Sequence, residues 1–213
     1  MTSHRLIATL VIGLATWFAP MAPVDAAVAR AAAAAEAVQV VAATSDEILT
    51  QILARPSAER NIGEIESLIA RIVLPHVDVE AISRRVLGRY WKTATRSDRD
   101  AVVNGLRKAI VATYAHALRD LEGADIEYLS PRVSRNGRQV IVRSHVRVPN
   151  GHALSVHYRL IHEGDWKLID LVVAGVSFVA TYRSSLLPAL RRGGIERVVN
   201  LLSTHSSNEA SSL

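Results

Sequence analysis

The chain has 213 residues, 49% hydrophobic and 21% charged, enough apolar material for one packed domain and too apolar for a disordered chain. It has no cysteine, which excludes structural disulfides, zinc–thiolate sites, thiol nucleophiles and a lipid-modified cysteine anchor. The net charge of +5 suits anionic surfaces such as lipid headgroups. The basic residues Arg84, Arg85, Arg89, Lys92, Arg96 and Arg99 are scattered without a platform of stacking aromatics, which argues against nucleic acid as a partner.

At the N-terminus, His4 and Arg5 precede an uncharged apolar run over 6–18, which Pro20 and Pro23 close. Small-residue cleavage sites follow at Val24-Asp25-Ala26 and Ala27-Val28-Ala29, the pattern of a secretory signal peptide over 1–26. The run is shorter than the roughly 20 residues that span a bilayer. Cleavage after Ala26 removes Arg5 and Asp25 together, so the net charge stays +5. No later stretch reads as a membrane span, so the mature chain is expected to be soluble.

Residues 27–43, rich in alanine and valine, read as a linker or frayed helix. A single domain is expected over 44–203, and a serine-rich, disordered tail over 204–213. Thr44 and Glu47 have the spacing of a capping box, and Ile48, Leu49, Ile52 and Leu53 follow at helical spacing before Pro56. The next helix is expected over 62–74, with Ile65, Leu68, Ile69 and Ile72 as its apolar stripe and Pro75 as its stop. A short helix over 79–87 has Gly88 placed to cap its end. Ser97 and Asp100 suggest the start of a longer helix to about residue 121, whose buried face carries Val102, Leu106, Ile110, Tyr114 and Leu118.

Over 125–174 the period changes to two. Val140, Val142, Val146 and Val148 oppose Ile141, Arg143, His145 and Arg147; Leu154, Val156, Tyr158 and Leu160 oppose Ser155, His157 and Arg159. These are strands with one dry and one wet face. Turn signals at Asn136-Gly137, Asn150-Gly151 and Glu163-Gly164-Asp165 make four antiparallel strands in a meander the economical reading. From Val176 a helical period returns, Gly193-Gly194 breaks it, and a short helix runs over 195–202. The layout is α+β: a helical half, a curled antiparallel sheet, then closing helices.

Signatures of catalysis are missing: there is no glycine-rich phosphate loop, no G-x-S-x-G elbow and no H-E-x-x-H. His145 and His157 share the wet parity of neighbouring strands, and a metal there would need a third ligand such as His162; surface histidines are the plainer reading. Asp170 sits among apolar residues and is expected either to hold structure, accepting from backbone or from an arginine such as Arg183, or to serve as a general base beside Tyr158. The sheet's dry face is valine, leucine and tyrosine with few large rings. Periodicity does not distinguish a filled core there from an apolar cavity.

Several segments, in order, carry a resemblance. Leu74-Pro75-His76-Val77-Asp78, the run from Leu87 to Ala94, Thr113-Tyr114-Ala115-His116-Ala117-Leu118, the run from Trp166 to Ser177, Tyr182-Arg183-Ser184 and Gly193-Gly194-Ile195 are similar to elements of the MlaC/toluene-tolerance (Ttg2-type) family of periplasmic phospholipid-binding proteins. The resemblance covers about 45–203 and implies a cystatin-like or nuclear-transport-factor-like cone: helices on a curled four-stranded sheet around a deep apolar cavity. It also implies a non-enzymatic shuttle carrying phospholipid between an outer-membrane lipoprotein complex and an inner-membrane ABC transporter complex, with no cofactor, nucleotide or metal. Val77, Val79 and Ala174 depart from the family pattern, which leaves the ligand open between a phospholipid and a hopanoid-like lipid. On this reading the acyl chains are lined by Leu87, Tyr90, Val103, Ile110, Tyr114, Val142, Val156, Tyr158, Val173, Val176 and Val179. The rival readings are a small-molecule enzyme using Asp170 and Tyr158 as acid and base, and an adaptor with a solid core.

Overall fold

The computed structural model describes residues 24–149, 151 and 153–210. The expected signal segment lies outside the described residues as far as residue 23. The chain then forms α1 (Val24–Leu53), α2 (Ile62–Leu68), α3 (Val79–Leu87), the single turn α4 (Tyr90–Thr93) and α5 (Arg96–Arg119). The sheet follows as β1 (Asp125–Val133), β2 (Gln139–Arg147), β3 (Leu154–Glu163), β4 (Asp165–Val173) and β5 (Val176–Ser177), and α6 (Phe178–Ala210) ends the described chain. The strands pair in the order β1-β2-β3-β4-β5, every pair antiparallel. The expected α+β layout is the observed one, with a short fifth strand added.

Several boundaries differ from the sequence reading, each for a local reason. Alanine is the best helix former, and of the two readings of the segment, linker or frayed helix, the helix is the observed one: it belongs to α1 throughout. Ala37 is fully buried against the sheet, and Glu36 accepts a 3.2 Å hydrogen bond from the Trp166 indole. Thr44 therefore does not open a helix; it lies inside one and its hydroxyl donates back to the Val40 carbonyl at 2.8 Å. The start of α5 is set two residues earlier than expected, by a capping box of Thr95 and Asp98 rather than Ser97 and Asp100. The helix expected over 62–74 is interrupted: after α2 come a wider π-helical turn (Ile69–Val73) and then a tighter 3-10 turn (Leu74–His76) that leads to the sheet.

Val176 does not begin a helix. It pairs with Val173 across a tight turn in which Ala174 and Gly175 both have positive φ, 49° and 83°. The helix expected from Val176 starts at Phe178, and the break expected at Gly193-Gly194 is present as two non-helical residues within α6. The helix runs on to Ala210 through most of the segment read as a disordered tail, and 211–213 lie outside the described residues. By length and composition, the stretch Ala26–Leu53 of α1 is apolar enough to cross a membrane, with mean hydropathy 1.4. Its Ala37, Val41, Ile48 and Ile52 are buried in the body.

Three apolar clusters hold these elements. The first joins α3, α5 and α6 through Val86, Leu106, Leu190 and Val198. The second packs Ala37 and Val41 of α1 on Val140, Val142, Leu160 and Trp166 of the sheet. The third gathers Ile48, Ile52, Ile65, Ile69 and Ala115. Close packing in the first depends on Gly105, where an added Cβ would lie 2.7 Å from the Leu202 Cβ. Gly105→Ala is therefore expected to destabilise the fold by about 1–3 kcal/mol despite alanine's better helix propensity, because the close approach of α5 and α6 is overpacked. Urea denaturation of the variant measures this; a gain in stability would contradict the tight contact.

Candidate functional site

The three clusters do not fill the space where they meet. A cavity of about 200 Å³ remains between α1, the Ile69–His76 turns, α5 and the inner face of the sheet. Each wall follows from local sequence. α1 supplies Val40, Val41, Thr44, Ser45 and Ile48, one stripe of a helix whose sheet-facing positions are small. The π-helical and 3-10 turns supply Ile69, Val73 and His76. α5 contributes Ile110, Tyr114, Ala117 and Leu118 at spacings of three and four, and the strands contribute Tyr158, Leu160, Leu168 and Leu171. Phe178 reaches in from the start of α6, with its ring 4.4 Å from that of Tyr182 and 6.4 Å from that of Tyr114. Apart from hydroxyls and the exposed His76, the lining is hydrocarbon and aromatic, and it holds no Lys, Arg, Asp or Glu. Such a wall binds by excluding water from apolar surface.

Of the residues read from sequence as lipid-contacting, Ile110, Tyr114 and Tyr158 are on this wall. The others are elsewhere. Leu87, Tyr90, Val103 and Val179 belong to the cluster beneath α3 and α6, where the helices pack on each other. Val142 is fully buried under α1, Val156 is buried on the sheet, and Val173 is half-buried on β4 away from the cavity. Val176 is 63% exposed, because β5 is an edge strand of two residues. The sequence reading missed the contribution of α1 and of the turns after α2. Val40, Val41, Thr44 and Ile48 have helical spacing, but the alanine-rich composition of the segment suits a linker as well as a helix.

Asp170 takes the structural role. It is 5% exposed and accepts hydrogen bonds from the Ser177 hydroxyl at 2.8 and 3.0 Å and from the Val179 backbone N–H at 3.1 Å. It ties the β4–β5 turn to the first turn of α6, where a carboxylate also meets the positive end of the helix. Its arginine partner is Arg159, at 3.8 Å, rather than Arg183, whose guanidinium lies beside Gly88. Asp170 does not line the cavity, so the acid/base pair with Tyr158 is not assembled there.

The histidines are also separated. His145 and His157 lie on the outer face of the sheet, opposite Ser155 and Arg143, while His162 packs edge-on against Trp166 on the inner side. Burial and the nearby guanidiniums of Arg143, Arg132 and Arg159 push the His157 pKa below its usual value. Among the described residues no group of three His, Cys, Asp or Glu side chains is placed to hold a metal.

This geometry defines a class: an α+β domain enclosing an apolar cavity between a curled sheet and helices, built to take up hydrophobic molecules. The model of the MlaC protein family matches residues 42–204, and the chain belongs to the MlaC family. It is 24% identical over 168 residues to the intermembrane phospholipid transport system binding protein MlaC of Haemophilus influenzae, an alignment covering 76% of this chain and 78% of that protein. It is 25% identical over 158 residues to toluene tolerance protein ttg2D of Pseudomonas putida, covering 73% of each. The fold matches a phospholipid-binding protein from Ralstonia solanacearum, solved in complex with a phospholipid, with a TM-score of 0.75 at 25% identity; 82% of this chain and 99% of that one are covered.

Two outcomes follow from the site's chemistry. Asp170→Ala is expected to cost about 1–3 kcal/mol, since it strips a buried acceptor from the Ser177 hydroxyl and the Val179 N–H; chemical denaturation reads it, and an unchanged midpoint would refute the role given to Asp170. Burial raises the Tyr114 pKa well above the ordinary phenol value, with the Asp170 carboxylate adding to the rise. The folded state therefore keeps a proton that the unfolded chain loses near pH 10. Stability is full below that pH and falls as pH climbs toward the folded pKa. In Tyr114→Phe this alkaline loss of stability is expected to be shallower, measured as the unfolding midpoint across pH 9–11.

Proposed function

We propose that this protein is a periplasmic phospholipid-binding shuttle, exported by its N-terminal segment, that carries lipid between membranes and is not an enzyme. The observation that carries the reading is the uncharged cavity between α1, α5 and the sheet. The family's curated relative in an intermembrane phospholipid transport system and the structural relative solved with a phospholipid support it. In the cell the partners are an outer-membrane lipoprotein complex on one side and an inner-membrane ABC transporter complex on the other. The ligand is a phospholipid or, in the family's hopanoid-associated branch, a hopanoid-like lipid. The chain needs no nucleotide, metal or cofactor for this task.

The physical mechanism is partition. Each buried methylene stabilises the complex by roughly 0.8 kcal/mol, so a lipid with two chains leaves too slowly unaided. A cavity of about 200 Å³ is also smaller than the roughly 300–1,000 Å³ of pockets that enclose drug-sized ligands. Loading and release thus require a wall to move, and a partner that moves it sets the direction of transfer.

Native mass spectrometry of the purified protein, with lipid extraction, tests the reading: an adduct that resolves as phospholipid or hopanoid is expected. Ala117→Trp, at an exposed position on the α5 wall, should cut the lipid-bound fraction at least severalfold while the protein stays folded. Val176→Asp, at an exposed position off the cavity, should leave it unchanged. A clean lipid-free mass that persists after incubation with phospholipid vesicles would overturn the proposal.

A further inference from the structure

The outer face of the sheet carries a cluster of cations that neither the core nor the cavity uses. Arg132 on β1 and Arg159 on β3 flank Ile141 on β2, and Arg143 of β2 stands opposite His157 one step along the same face. Neighbouring strands lie about 4.8 Å apart, so the three guanidiniums share one patch. Burial first, and then these same three guanidiniums, lower the His157 pKa, which puts them within electrostatic reach of one ring.

Like charges on neighbouring strands repel unless something neutralises them. The chain supplies little that does. Glu127 and Asp125, further along the face, are both taken by Arg147, at 2.6 and 3.1 Å. Arg143 donates to the Ser130 carbonyl at 2.7 and 3.1 Å, which fixes its place and leaves its charge. Asp170 lies 3.8 Å from Arg159, but it is buried and already accepts from Ser177 and Val179. Among the described residues neither Arg132 nor Arg143 forms an ion pair. α1 packs on the opposite face of the sheet, through Val140, Val142 and Leu160, and leaves Arg132 and Arg159 exposed. The large hydrophobics that are exposed among the described residues, Val28, Leu154 and Val176, lie elsewhere.

A protein interface has an apolar centre, and this patch offers none to a partner. Cations without such a centre fit a surface that is itself an array of anions. We propose that the outer face of β1–β3 is a docking surface for an anionic lipid bilayer, with Arg132, Arg143 and Arg159 set against the phosphates of its headgroups. Docking is distinct from lipid uptake, because these arginines stand on the side of the sheet away from Tyr158 and Leu160, which line the cavity. It holds the protein against a membrane whether the cavity is filled or empty.

Vesicle co-sedimentation of the purified protein is the test. Vesicles of phosphatidylcholine are compared with vesicles of equal parts phosphatidylcholine and phosphatidylglycerol at about 0.1 M salt, where charges more than about 10 Å from the surface are screened. Binding to the anionic vesicles alone is expected. Arg132→Gln, Arg143→Gln and Arg159→Gln should each lower the partition about fivefold, the contribution of one arginine at an anionic surface. Arg132, which makes no ion pair, is the single change least able to disturb the fold. The triple variant should lose vesicle binding while keeping the wild-type lipid-bound fraction in native mass spectrometry. A control that removes equal charge from exposed positions of α5 and α6, Arg107→Gln with Lys108→Gln and Arg191→Gln, should keep most of the vesicle binding. Equal binding to both kinds of vesicle, an unchanged partition in Arg132→Gln, or a loss in the control as large as in the triple variant would overturn the inference. So would binding of polyglutamate but not of anionic vesicles, which would reassign the face to an acidic protein. None of these outcomes bears on the carrier reading, which stands or falls on lipid in the cavity.

Discussion

One helix has to satisfy two surfaces at once, and most of the molecule follows from how it does so. α1 lies on the sheet through Ala37 and Val41 and continues into the helical layer through Ile48 and Ile52. Its small side chains let its backbone approach β1 and β2 closely, while the large ones further on need the depth between α2 and α5. A straight helix that is seated at both ends bridges the gap between them. The space beneath Val40, Thr44 and Ser45 is left unfilled, because the valines and the short hydroxyl side chains do not reach across it. Interiors otherwise pack at crystal-like density, so an uncharged void at the seam of three clusters is a built feature of the fold.

The charged groups are kept away from that void. Asp170, the buried acid of the sheet, turns its carboxylate to Ser177, Val179 and Arg159, and so joins the sheet to α6. The guanidiniums of Arg143 and Arg159 stand on the strands' other parity, around His157. What remains inside, apart from the exposed His76, are phenols and short hydroxyl side chains. A guest is therefore selected by shape and by apolar area, and no charge pairing opposes its release.

Retention and release pull against each other in such a cavity. Every methylene enclosed slows departure, so a wall must be separable. α1 is joined to the sheet by small side chains and one indole–carboxylate hydrogen bond, Trp166 to Glu36. α5 is held along its length by two of the three clusters. The weaker seam is the one between α1 and the strands, where Ser45 and Tyr158 both line the cavity.

Much of this was legible in the order of residues. Period-two alternation over Val140–Val148 and Leu154–Leu160 marked β2 and β3, because a strand with one wet face must alternate. The helical stripe of α5 named Ile110 and Tyr114, and both line the cavity. Tyr158 was marked by the same strand alternation. Periodicity reports which face is dry and is blind to what the face meets, so Leu87, Val142 and Val156 looked equivalent to the cavity residues although neighbouring elements cover them. The alanine-rich run misled because composition suited both a linker and a helix, and only its seat on the sheet decided. The sequence by itself determined the alternation of elements and the apolar faces. Tertiary structure alone decided that those faces meet around a void, that α1 roofs it and that Asp170 serves the fold, since each depends on contacts between segments far apart in the chain.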